Sequence, residues 1–389
     1  MKRRGLVMQD RFIYADNAAT TKVSKSVLEA MLPVLAEQYG NPSSAHKMGR
    51  EASRLILAAA QQAASALGCK PNEIYFTSGG TESDNWALRS AARLGAEHGK
   101  RHIVTTMIEH HAVLKCCWEL EKQGFEVTYL CPDAQGRITA GQVEAALRED
   151  SCLVSVMAAN NEVGTIQPVA EIGALCRSRG VLFHTDAVQA VGSIPIDTAA
   201  MNVDMLSLSG HKINAPKGVG ALYIRSGVAL PPFMLGGEQQ RGRRAGTENT
   251  AGIVGLGQAL ADVTSDIGGR SARLAKLRDR LISGLMEIPS ARLNGHPSER
   301  LCGNVNISLD GVDGESLLLM LDAAGICASS GAACASGSLE PSHVLTAMGL
   351  NGQLARGSLR LTLGDDTTED DVQYIIEKVA AAAARICEL

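Results

Sequence analysis

Four stretches of this 389-residue sequence put reactive side chains beside the kind of backbone that builds a ligand site. In SLSGHKINAPKGVG, residues 207–220, Lys212 follows an apolar run and a tight glycine turn. An amine held there and stripped of water loses its proton and forms an imine with a carbonyl group. The plainer reading is a surface lysine, a description that fits Lys217 in the Pro-Lys-Gly turn better. In FHTDAVQ, residues 183–189, Asp186 ends an apolar run, where a carboxylate is costly unless a positive group pairs with it. A protonated heterocycle nitrogen is such a group; a helix-capping aspartate reads the same way. In SGGTES, residues 78–83, two glycines precede a helix start, so free backbone amides make either an anion site or an ordinary turn. The G-K-[ST] ending of a nucleotide P-loop is absent. In SSGAACASGS, residues 329–338, Cys334 stands among side chains too small to pack, which predicts a surface loop that carries a thiol and moves.

The elements around these residues alternate between strand and helix. MGREASRLILAAAQQAASALG is rich in helix formers and stops at Gly68. NEIYFTSGG reads as a strand entering a glycine turn, and TESDNWALRSAARLG as the helix after it. HIVTTM, LVSVMAANN and VLFHTDA are apolar runs with polar ends, the pattern of buried parallel strands. MLSLSGHK and GVGALYIR add two more strands. The alternation predicts an α/β domain with a parallel or mixed sheet, ending near residue 255, then a smaller α+β domain. In open α/β sheets ligands sit beyond the carboxyl ends of the strands, which is where Lys212, Asp186 and the glycine turn fall. A phosphate cradle, an aspartate for a ring nitrogen and an imine-forming lysine are together the binding needs of pyridoxal phosphate.

Composition excludes other classes. A net charge of -4 with no long run of one sign argues against nucleic acid as a partner. No apolar stretch of about 18 residues predicts a membrane span. The basic MKRR start leads into no apolar h-region, so we expect no signal peptide and a cytoplasmic protein. Ten cysteines without a C-x-x-C pair then read as reduced thiols, most of them small buried hydrophobes rather than metal ligands.

The motifs YADNAATT, GNPSSAH, FTSGGTESDN, ANNEVGT, HTDAVQAVG, SLSGHKINAPKGVG, RRAGTEN, SSGAACASGSLEPSHV and SLRLTLG occur in that order from residue 14 to residue 364. In this combination the chain resembles the cysteine desulfurases of the NifS/IscS-like branch, within the class-V aminotransferase family. The resemblance implies a fold-type I pyridoxal-phosphate enzyme, with a large α/β domain around a mostly parallel sheet and a smaller α+β domain. It implies a large domain over residues 21–257 and a small domain formed by 1–20 and 258–389.

By the same resemblance Lys212 links covalently to the cofactor, Asp186 pairs with its ring nitrogen and Gln189 bonds its phenolic oxygen. Gly80, Thr81, Ser209 and His211 hold the phosphate, and Thr247 reaches the phosphate of a neighbouring subunit, which implies a homodimer with shared active sites. His110 matches the histidine that stacks on the ring and moves protons; residue types alone do not separate it from His111. Asn161 contacts cofactor and substrate, and Arg360 binds the substrate carboxylate; read without the family, Arg360 is a surface arginine at a strand end. The implied reaction converts L-cysteine to L-alanine, leaving sulfur as a persulfide on Cys334 for an acceptor such as an iron–sulfur cluster scaffold. A further expectation is that Cys334 briefly ligates that scaffold's cluster. The alternatives are a selenocysteine lyase, a cysteine sulfinate desulfinase, an aminotransferase, or a cofactor-free α/β binding protein.

Overall fold

The computed structural model describes residues 11–330 and 341–387. In chain order its strands are β1 (Ile13–Tyr14), β2 (Ile74–Thr77), β3 (His102–Thr106), β4 (Glu126–Leu130), β5 (Ser151–Ser155) and β6 (Leu182–Asp186). There follow β7 (Met205–Ser209), β8 (Gly220–Ile224), β9 (Ala291–Leu293), β10 (Asn304–Leu309), β11 (Ile326–Cys327) and β12 (Ser358–Thr362). Seven of them form one sheet in the order β2-β8-β7-β6-β5-β3-β4. All neighbours in it are parallel except that β8 runs antiparallel to both β2 and β7. Because β8 alone is reversed, β2, β3, β5, β6 and β7 all end at the same edge.

Those strands are buried almost throughout because both faces are covered. On one face, the helices Lys47–Leu67, Val169–Arg179 and Thr250–Ser265 close a core that includes Val104, Val154, Phe183 and Leu206, all fully buried. On the other, the helices Gly80–Glu97 and His111–Lys122 pack through Trp86, Leu88 and Cys117. The helix Lys47–Leu67 stops where Gly68 takes a left-handed conformation (φ 66°), as the glycine predicted. Buried polar residues brace the sheet near its loaded edge. His184 bonds Ser155 through Nδ1 and Ser207 through Nε2, both at 2.9 Å, and burial lowers its pKa to about 3, so the ring is neutral.

A separate apolar core gathers the antiparallel sheet β12-β10-β9, the parallel pair β1-β11 and the helices Ile267–Leu285, Gly314–Ala323 and Glu369–Cys387. Asp16, just after β1, bridges to Thr362 of β12, and Ser329, just after β11, pairs with Arg360. These two bridges deliver both residues to the edge where the large sheet ends. Among the described residues no helix is long and apolar enough to cross a membrane.

Candidate active site

A cavity of about 460 Å³ opens at the carboxyl edge of the large sheet. Its lining includes Gly80, Thr81, His110, Asn161, Asp186, Gln189, Ser209, His211, Lys212 and Arg360. Five of the six strands that share one direction feed it. Gly80 follows β2, His110 follows β3, Asn161 follows β5, Asp186 ends β6, and Ser209 ends β7 one turn before Lys212. Of the residues proposed from the sequence, Thr247 is exposed and is not among the lining residues, and Cys334 lies outside the described residues.

One end of the cavity is rich in donors. The helix Gly80–Glu97 starts after Gly79 (φ 155°) with no side chain capping it, so its first amides remain available. A Cβ on Gly80 would stand 2.7 Å from Val188 Cγ2, so the backbone comes this close only as glycine. Thr81, Ser209 and His211 line the same cavity. Burial, then the charges of Lys212 and Lys217, lower the His211 pKa to about 4, leaving a neutral ring that bonds Thr20 Oγ1 through Nδ1 at 3.2 Å.

The YADNAATT segment supplies a floor of carbonyls. Lys212 Nζ donates to Ala18 O and, at 2.8 Å, to Ala19 O. Gln189 Nε2 donates to the same Ala18 O at 2.9 Å. Asp186, 5% exposed, accepts from Val188 N at 2.9 Å through Oδ1, so it is a turn-capping residue and a cavity residue together. Burial raises its pKa, and His110 and Lys212 pull it back down. Asp84, which also lines the cavity, is pushed well above the usual carboxylate range by burial and by Asp186.

Histidines and a second carboxyl group line the opposite wall. His110 caps the helix His111–Lys122, accepting from Ala112 N at 3.1 Å through Nδ1. His111 and His343 also line the cavity, their ring centroids 4.7 Å apart, and His343 Nε2 donates to Glu109 O at 3.0 Å. Glu162 is buried there and bonded to Ser342 Oγ; burial raises its pKa to about 7 against the pull of Ser342, Arg360 and His110. Arg360, 2% exposed, donates to Asp16 Oδ1 at 2.9 Å and to Asn161 O at 3.2 Å, which makes it a buried, paired arginine and excludes the surface reading.

Sequence reasoning missed Asp16, Asp84, Glu162, His343 and the Ala18 and Ala19 carbonyls as parts of the site. Apart from the carbonyls, which carry no side-chain signal, all lie inside motifs already picked out, so their presence there was the available hint. Burial raises Cys69, Cys116 and Cys176 to about 12 and Cys152 to about 11, which keeps them protonated and unreactive.

The donor set fits pyridoxal phosphate. The uncapped helix start with Thr81, Ser209 and His211 suits a phosphate. The buried Asp186 suits a protonated ring nitrogen, because a nearby cation lowers the cost of its own charge. Lys212 is the amine at the cavity, and the Gln189 amide suits a ring oxygen. No group of three or more histidine, cysteine, aspartate or glutamate residues that could hold a metal ion occurs among the described residues.

Known proteins agree with this chemistry. Residues 13–375 match the family described as aminotransferase class-V. A protein described as cysteine desulfurase IscS from Methanosarcina thermophila is 54% identical over 371 residues, covering 95% of this chain and 92% of that protein. The solved structure of a NifS-like protein superposes with a TM-score of 0.91 at 40% identity, covering 96% of this chain and 100% of its own. A structure described as SspA in complex with cysteine superposes with a TM-score of 0.80 at 39% identity, covering 90% of this chain and 98% of its own.

Proposed function

Because the chain belongs to the class-V aminotransferase family and is a pyridoxal-phosphate-dependent cysteine desulfurase, we propose that the cavity at the strand ends is its active site. The observation that carries this is the convergence on one cavity of ten residues chosen from separate motifs, from Gly80 to Arg360. Lys212 would hold the cofactor covalently, Asp186 its ring nitrogen and Gln189 its phenolic oxygen. Gly80, Thr81, Ser209 and His211 would hold its phosphate.

When bound, the cofactor supplies an electron sink for charge that develops on the substrate. Arg360, with Asn161 beside it, binds the L-cysteine carboxylate and fixes the α-carbon over the site, since a planar guanidinium gives two parallel bonds to a carboxylate. Lys212 Nζ, released when the substrate amine takes its place, takes the α-proton, and the Ala18 and Ala19 carbonyls aim that amine. The Cys334 thiolate attacks the substrate sulfur; an S–S bond forms as the C–S bond breaks. The carbon fragment keeps the electron pair and takes one proton at Cβ, for which His110 is the donor, regains the α-proton from Lys212, and leaves as L-alanine. The persulfide on Cys334 then goes to an acceptor.

We further propose a homodimer in which the exposed Thr247 serves the neighbouring subunit's phosphate site. The acceptor is an iron–sulfur cluster scaffold whose cluster Cys334 contacts transiently, and the enzyme acts in the cytoplasm. The functional division is a large domain over 21–257 against a small one over 1–20 and 258–389; two distinct apolar cores support a two-part division, with the helix Thr250–Ser265 packed in the large core along its whole length. Replacing Cys334 by alanine tests the sulfur step. The variant should keep the cofactor's visible absorbance and lose alanine formation; alanine released at the wild-type rate would reject Cys334 as the nucleophile.

A further inference from the structure

We propose that Ser329 is a positioning residue that keeps the Arg360 fork open for the substrate by restricting Asp16 to a single contact. The inference rests on reading Arg360 as the carboxylate-binding residue.

The side chains meet for a backbone reason. Ser329 and Arg360 exchange both main-chain hydrogen bonds, Arg360 N to Ser329 O at 2.7 Å and Ser329 N to Arg360 O at 3.2 Å. Directly opposed residues of an antiparallel pair send their side chains to the same face. Asp16 arrives beside them through its parallel bridge to Thr362. Within this trio Asp16 divides its carboxylate, Oδ1 accepting from Arg360 Nη2 at 2.9 Å and Oδ2 from the Ser329 hydroxyl at 3.1 Å.

A carboxylate with both oxygens free closes on arginine through two parallel bonds. Were Asp16 to do so, it would take the donors that a substrate carboxylate needs. Ser329 occupies the second oxygen, so Asp16 balances the buried charge of Arg360 without covering it. The guanidinium has five N–H donors. Nη1 reaches Asn161 O at 3.2 Å, Nη2 reaches Asp16, and Nε is buried without a partner. That unsatisfied Nε, on a residue lining the cavity, is a buried donor lacking an acceptor, which a substrate carboxylate would supply. Asp16 is needed in turn because a buried arginine left unpaired between turnovers would be strongly destabilising.

The test compares variants of the cofactor-loaded enzyme. Ser329→Ala frees Asp16 Oδ2, so KM for L-cysteine should rise about tenfold, the scale of one hydrogen bond to a charged group, with a smaller change in kcat. The dissociation constant of L-alanine, read from the cofactor's absorbance without turnover, should rise by the same factor. Cysteamine, which lacks the carboxylate, should bind Ser329→Ala as it binds wild type. Ser329→Thr restores the hydroxyl and should restore KM. Adding Asp16→Asn to Ser329→Ala should cancel the rise, because an amide offers one acceptor oxygen and no competing charge. An unchanged KM in Ser329→Ala, or a rise that persists in the double variant, overturns the proposal. The carboxylate assignment fails separately: Arg360→Gln would then weaken L-cysteine and cysteamine equally, whatever Ser329 does.

Discussion

The end of the cavity assigned to the cofactor is built from the ends of five strands in one sheet, each residue at the end of its own strand or a few positions past it. The end around Arg360 is built from segments 344 and 313 residues apart in sequence, which meet as Arg360 with Asp16 and Asp16 with Ser329. The first is held by a shared, fully buried scaffold, so each residue keeps its place when a neighbour is changed. The second is held by a chain of polar contacts, where one change redirects the others. Cofactor residues should therefore fail singly and in chemistry, and carboxylate residues should fail together and in affinity.

The largest expected effect is at the cofactor end. Lys212→Ala should lower the rate of alanine formation by roughly three orders of magnitude or more, since a group that bonds the reacting centre has no substitute. Fold and L-cysteine-independent properties such as melting temperature should hold. A variant with appreciable turnover would mean that another amine does the work.

Arg360→Gln should act next in size and in a different parameter. KM for L-cysteine should rise about a hundredfold, the scale of truncating one partner of a buried charged pair. Melting temperature should fall too, because Asp16 loses its counter-charge. A pure kcat effect with unchanged KM would break the contrast between the two ends.

The smallest effect concerns Glu109, which sits beneath the histidine wall and is fully buried. Its Oε1 accepts from Thr106 Oγ1 at 2.8 Å and Met157 N at 2.9 Å, and burial raises its pKa to about 8. The folded state thus holds a proton that the unfolded chain releases near pH 4.5. Its stabilising contribution is complete below that value and is lost as pH rises through about 8. Glu109→Gln, shaped like the protonated acid, should match wild-type stability within about 1 kcal/mol at pH 5. It should become the more stable protein above pH 8, which urea unfolding at the two pH values measures.

The two ends also differ in how far the sequence foretold them. Lys212, Asp186 and Gly80 were legible because each follows an apolar run or glycine turn, a local pattern that marks the carboxyl end of a strand. The parallel strands β3, β5 and β6 were legible for the same reason. Strand β4 was not: Glu126–Leu130 is an edge strand, only its last residue buried, and EVTYL lacks the continuous apolar signal of its neighbours. The reversal of β8 was invisible too, since an apolar run does not encode direction. Asp16, Ser329 and Glu162 escaped because their roles come from partners in other segments of the chain. The Ala18 and Ala19 carbonyls escaped because any residue type would present them. The family resemblance pointed to Arg360, and only the fold revealed what holds it.

The central claim is that the strand-end cavity holds the cofactor through Lys212. Borohydride reduction of the purified yellow enzyme, followed by peptide mapping, tests this directly. A single lysine, Lys212, should carry the modification, and none should in Lys212→Ala. Modification at Lys217 or any other lysine, or its persistence in that variant, would contradict it.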